Sequence, residues 1–211
     1  MKKHVKHSLA LCALLVPGLA MAANFIPATG DYSVPGNWDA ALGAGDIAAV
    51  GGAKTATVTT TETIGSIHTT FGGSFTIAAG GDLTASGQAL IGNTGAGSLL
   101  VDGGSFSAGT EFALGVGGGT GSMTMNSGSI TSLSLLGVGW GGGSGTLTVN
   151  GGVLNANGLV IGAWGGNGDI TLNAGTINQS GVFDASAGTG TVVINGGVMS
   201  SLSLNFDGAG K

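Results

Sequence analysis

Residues 145–154 read GTLTVNGGVL, and the chain writes near-copies of these ten residues four more times. The others are GSLLVDGGSF from Gly97, GSMTMNSGSI from Gly121, GDITLNAGTI from Gly168 and GTVVINGGVM from Gly190. The intervals along the chain are 24, 24, 23 and 22 residues, and a fainter copy, GSFTIAAGGDL, begins at Gly73 with one extra residue. A unit of this length is one supersecondary element that cannot bury an apolar face alone, so its copies must stack. The third residue of the unit is Leu99, Met123, Leu147, Ile170 and Val192, and the fifth is Val101, Met125, Val149, Leu172 and Ile194. Between them stand Leu100, Thr124, Thr148, Thr171 and Val193. Apolar residues at every second position mark a strand with one buried face.

A second apolar column follows a Gly-containing turn, at Phe106, Ile130, Leu154, Ile177 and Met199. A third closes most units, at Leu90-Ile91, Leu114, Leu136-Gly137-Val138 and Leu159-Val160-Ile161. Three short strands per unit predict an all-β, single-stranded parallel β-helix of about seven coils of 22–24 residues, filling residues 51–211. At a strand spacing of about 4.8 Å that is a rod of roughly 34 Å. Residues 23–50 lack the repeat and hold Tyr32, Pro35 and Trp38, so they predict a cap or first coil over an otherwise open end. Membrane barrels also alternate, but their strands need about 9–11 residues and aromatic girdles, against strands of about five here.

Composition narrows the function classes. Glycine supplies 46 of 211 residues, yet 42% are hydrophobic and recur in register, unlike a disordered chain. Residues 1–22 read as a signal peptide: Lys2, Lys3 and Lys6, an apolar run, then Ala20-Met21-Ala22 as the cleavage site. Its only cysteine, Cys12, would leave with it, so no disulfide is expected in an exported product. Lys54 and Lys211 then remain as the only basic side chains against ten acids. Such a surface excludes nucleic acid and does not adsorb to anionic membranes. No transmembrane segment is expected in the mature chain. Leu202, Leu204 and Phe206 alternate up to the end without a polar cap, which predicts that the natural product continues past Lys211.

The sixth column is Asp102, Asn126, Asn150, Asn173 and Asn195, residue types that accept left-handed geometry at turns and whose amides can bond one another along a stack. One carboxylate among four amides makes a poor cation site, so no metal or other cofactor is expected. Trp140 and Trp164 lie 24 residues apart, each just after the third strand, and are the candidate surface contact. Thr124, Thr148 and Thr171 form an outward hydroxyl file broken by Leu100 and Val193, beside an incomplete file of Ser122, Thr146, Asp169 and Thr191. An ice-binding face is the reading these files invite. No catalytic residue is assigned: His68 is the one histidine outside the leader, and a glycan-cleaving enzyme would need Glu62, His68, Asp82 and Glu111 to converge on one groove. Gly137 to Gly142 fits the GxGxxG spacing but recurs as corner sequence followed by strand, unlike a dinucleotide loop. Near Gly165-Gly166-Asn167-Gly168-Asp169 the glycines suggest a calcium nonapeptide, but the period differs.

Aligned in this way, the units resemble the repeats of autotransporter passengers and of PEP-CTERM exopolysaccharide-linked proteins. The resemblance rests on an aliphatic–Gly turn followed by G-[ST]-L-T-V-x-G-G, in residues 136–154 and 159–177, and on Pro35-Gly36-Asn37-Trp38 with Gly45-Asp46-Ile47-Ala48. It implies an exported β-helical protein of a Gram-negative bacterium, at the cell surface, outer membrane or outside the cell, non-enzymatic and serving adhesion or matrix. The partners it implies are extracellular polysaccharide or another cell's surface. A carbohydrate-active enzyme is the alternative, and ice binding comes third. The sequence carries neither a translocator barrel nor a Pro-Glu-Pro anchor, so a missing C-terminal segment is expected and the branch stays open.

Overall fold

The computed structural model describes residues 22–185 and 188–205; leader residues 1–21, Phe206 and the expected continuation past Lys211 lie outside these. The chain winds as a parallel β-solenoid of about eight turns whose strands stack into three faces. Face A runs Thr29–Asp31, Thr55–Val58, Gly73–Ala78, the starts of Ala96–Ala108 and Thr120–Trp140, Ser144–Val149, Asn167–Leu172 and Thr189–Ile194. Face B begins at Thr61–Ile64 and ends at Val198–Ser200. Face C begins at Ala22–Asn24 and ends at Ser203–Asn205. Every inter-strand pairing in these faces is parallel.

The repeat columns are physical columns. Leu99, Met123, Leu147, Ile170 and Val192 sit opposite one another on successive coils, as do Phe106, Ile130, Leu154, Ile177 and Met199. They line a continuous buried core that runs from Ala23 to Ala185. The coil expected between residue 51 and the first repeat copy lies at Thr55–Val58 and Thr61–Ile64: Thr55 pairs with Ser74, a step of only 19 residues. Residues 22–50 contribute strands to faces A and C, and the segment after Tyr32 supplies the cover. There Trp38 meets Phe25 and Tyr32 edge-on, at 5.0 and 5.2 Å, and donates through Nε1 to the Tyr32 carbonyl at 2.9 Å.

Two glycine columns make the corner between faces C and A. Gly92, Gly115, Gly139 and Gly162 end face C in the left-handed region. Gly97, Gly121, Gly145, Gly168 and Gly190 open face A, in register with one another. A Cβ on Gly121 would overlap the Ile91 carbonyl oxygen and the Gly115 nitrogen, and one on Gly145 would overlap the Gly139 nitrogen. The first residue of the repeat is therefore glycine because two backbones touch there.

Candidate functional site

Outside that inner contact the same corner turns through solvent. At Val116–Gly119, Trp140–Gly143 and Ala163–Gly166 the fourth residue's N–H bonds the first residue's carbonyl, at 2.9, 3.2 and 3.2 Å. Both central residues have positive φ: Gly117 and Gly118, Gly141 and Gly142, Trp164 and Gly165. These are the marks of type I′ turns, which favour Gly, Asn or Asp at both central places. Trp164 occupies the first of them with φ 49°. A bulky side chain in that region is an outlier that costs on the order of 1–3 kcal/mol.

The two tryptophans are not equivalent in register. Trp140 pairs with Ala163, so Trp164 stands one residue further round the corner. Trp140 is half-buried and folds back over face C, where its ring leaves no room for a side chain on Gly137: a Cβ there would come within 2.5 Å of Cε3. Trp164 meets it edge-on, with centroids 4.3 Å apart and planes at 87°, yet remains 69% exposed. Mutual packing and surface display coexist in this pair. Sequence reasoning missed Phe71, which turns the same corner on an earlier coil, one place off the Thr94–Trp164 column, with φ 51°, and is 70% exposed. Its signal is an aromatic followed by Gly72-Gly73 before a strand, as Trp164 precedes Gly165-Gly166.

On the opposite corner the Asx column is a hydrogen-bonded ladder. Asn126 Nδ2 donates to Asp102 Oδ1 at 3.3 Å, Asn150 to Asn126 at 3.0 Å, Asn173 to Asn150 at 2.8 Å and Asn195 to Asn173 at 2.7 Å. The left-handed geometry expected of these residues falls instead on glycines just beyond them, Gly103, Gly128, Gly152, Gly175 and Gly197. On face A the hydroxyl files are longer than the repeat copies alone indicate. Thr57 and Thr76 continue the file of Leu100, Thr124, Thr148, Thr171 and Val193, and Thr55, Ser74 and Ser98 continue that of Ser122, Thr146, Asp169 and Thr191. Asp169 in that file accepts from Thr191 Oγ1 at 2.6 Å and from its N–H at 3.1 Å.

The four groups that an enzyme would need are placed apart. Glu62 stands in the inward column of face B, above Leu83, and lines a depression of about 190 Å³ with Tyr32, Trp38 and Leu42 beneath the cap. Burial, and then the Glu62 charge, push the Tyr32 hydroxyl far above its ordinary pKa. Asp82 is on the adjacent strand, but its outward position places it on the other side of the sheet from Glu62. His68 is on face C, where burial pushes its imidazole below the usual value and Nε2 has no partner. Glu111 accepts from Gln88 Nε2 at 2.9 Å. Among the described residues no three His, Cys, Asp or Glu side chains group as metal ligands would, and no helix is long and apolar enough to cross a membrane. No protein-family model, curated protein or solved structure matches the chain. The class that the fold defines is that of parallel β-solenoids.

Proposed function

We propose that the protein is an exported, non-enzymatic scaffold of a bacterial cell surface or extracellular matrix, whose rod presents the Trp140–Trp164 corner as its contact with polysaccharide or another cell. The observation that carries this reading is Trp164 itself, a tryptophan that is 69% exposed at a backbone position suited to glycine. Its packing on Trp140 does not account for that conformation, because a glycine there would spare the strain and bury no less of the core. Export is supported by the leader-like residues 1–22, and the matrix setting by the family resemblance. The test is adherence of cells or beads displaying the protein, comparing wild type with Trp140→Ala and Trp164→Ala. Loss of adherence with retained folding supports the reading; unchanged adherence in both variants removes the site.

The length of the hydroxyl files on face A favours a second reading, adsorption to a periodic solid such as ice. Thermal hysteresis of the purified rod decides it, and Thr148→Arg should abolish any activity found.

A further inference from the structure

We propose that the corner from Phe71 to Trp164 is one continuous binding line for an uncharged polysaccharide chain lying parallel to the rod axis. The proposal rests on the contact reading above and deepens it by naming the ligand class and a second anchor. Thr94, Gly117, Gly141 and Trp164 hold the same left-handed turn position on four successive coils, and Phe71 turns the corner of the coil before them, opposite Asn93 when the strand register is extended, with φ between 49° and 58° at all five. Four strand spacings separate the two aromatics, roughly 19 Å. All five positions are exposed. Of the three corners between the rings one carries the small Thr94 side chain and two are bare backbone: a Cβ on Gly118 or Gly142 would meet nothing within 4 Å, and one on Gly117 or Gly141 would meet an atom only at 3.7 or 3.9 Å. The result is a smooth trough between two aromatic posts, with Trp140 bracing the second.

Two bulky residues take strained left-handed backbone at this corner and leave most of their surface in water, although Trp164 also packs on Trp140. Strain of this kind points to a function for the side chains. Flat apolar rings match the faces of sugar rings, and the spacing requires a ligand extended over several coils. Charge excludes the ionic alternatives: residues 70–73, 93–97, 116–120, 140–144 and 163–167 contain no charged side chain. Beside the trough, Ser98, Ser122 and Thr146 on face A offer hydroxyls suited to hydrogen bonds with an uncharged glycan.

The experiment is affinity electrophoresis of the whole chain in gels containing hydroxyethylcellulose, laminarin, galactomannan or dextran, with alginate as the anionic comparison. Titration with an oligosaccharide length series of the best ligand follows. The variants are Phe71→Gly and Trp164→Gly, which relax the backbone and should keep or raise Tm. Wild type should be retarded by at least one neutral polymer, and each variant should weaken binding by about tenfold or more, the usual cost of losing an aromatic anchor. Oligosaccharides too short to span both posts should bind weakly and ignore Phe71→Gly. Wild-type affinity in Phe71→Gly overturns the continuous line and leaves the tryptophan contact standing. Binding to alginate alone, or to none of the polymers, overturns the ligand class; if Trp164-dependent adherence persists, the partner is then a protein and the contact reading survives. A drop in Tm for either glycine variant overturns the strain argument.

Discussion

Replacing Gly121 by alanine should unfold the middle of the rod, whereas the same change at Gly142, one coil further on, should barely be felt. At Gly142 the added methyl meets nothing within 4 Å, and only the backbone objects, at φ 80°. That objection costs roughly 1–2 kcal/mol, offset by about 0.4–1 kcal/mol because alanine has less freedom to lose on folding. The net change is about 1 kcal/mol. At Gly121 the methyl would enter the Ile91 carbonyl oxygen and the Gly115 nitrogen, both backbone atoms of coils already bonded above and below. No rotamer relieves the overlap, so the strands of two coils must separate. Separation sacrifices several inter-coil hydrogen bonds at about 1 kcal/mol each and opens the packing of Met123 and Leu99. A loss of about 4 kcal/mol or more is expected. Urea titration followed by far-UV circular dichroism measures both, and because stacked repeats need not unfold in one step, limited proteolysis should find the new cleavage near residue 121. A Gly121→Ala midpoint within error of Gly142→Ala would refute the claim that backbone contact dictates the first residue of the repeat.

The Asx ladder predicts a position dependence. Asn150→Ala removes two ladder bonds and Asn195→Ala one. Because exposed partners return to water, the losses should be about 1–2 and 0.5–1 kcal/mol in urea titrations. Leu147→Ala empties a fully buried position between two coils and should cost about 2–5 kcal/mol, more than Val192→Ala near the far end, where the side chain is only partly covered. For pH, burial lowers the His68 imidazole below its ordinary value of 6.5, so the unfolded chain takes up the proton first. Stability is therefore full above about 6.5, falls as pH drops from there to the lower folded value, and then levels. Hydrogen bonds from the Ser33 and Thr59 hydroxyls likewise lower Asp31 from 3.8, placing a second loss in more acidic solution. Melting curves at stepped pH should show both declines, and His68→Leu should erase the first while leaving the second.

The core is legible in the sequence because its signal is carried by side chains. Leu147 and its column neighbours are aliphatic at a fixed spacing, and that spacing alone places them over one another. The coil at Thr55–Val58 falls within the expected range but its strands carry no copy of the motif, because its 19-residue step breaks the period and the first strand offers only Ala56 and Val58 to the core. Glycine is the harder residue to read. Gly121 and Gly142 look alike in sequence, yet one is a contact between backbones and the other a turn in open water, and an absent side chain records neither. The Asx column departs from expectation in one respect for the same reason: the left-handed backbone belongs to the glycine beyond each Asn, and sequence does not say which residue of a turn bears it. The aromatic offset, with Trp164 one place past Trp140, depends on where each coil adds or drops a residue, which the repeat length of 23 or 24 does not specify.

These corners also explain why a rod so uniform inside can carry a local contact outside. Each repeat copy from Gly73 to Gly190 closes through a glycine whose Cβ would strike backbone or a packed side chain, and a few ångströms outward through a pair whose demands are conformational only; the earlier coil at Thr55–Val58 carries Lys54 in the inner column. In the repeat copies the inner column is uniformly glycine because two coils share it. The outer pair belongs to one turn, so a bulky residue there burdens that turn and leaves its neighbours in register. Any coil could therefore exchange its outer glycine for an aromatic at a fixed, local cost. Only two of the five corners do so at the first turn place, at Phe71 and Trp164, and both send the ring into solvent. If such exchanges were merely tolerated they would fall on residues of every kind and size. Across the outer pair they fall on Ala53, Phe71, Thr94 and Trp164, and the two large ones are both rings facing solvent, which is the pattern expected of a surface built to touch something.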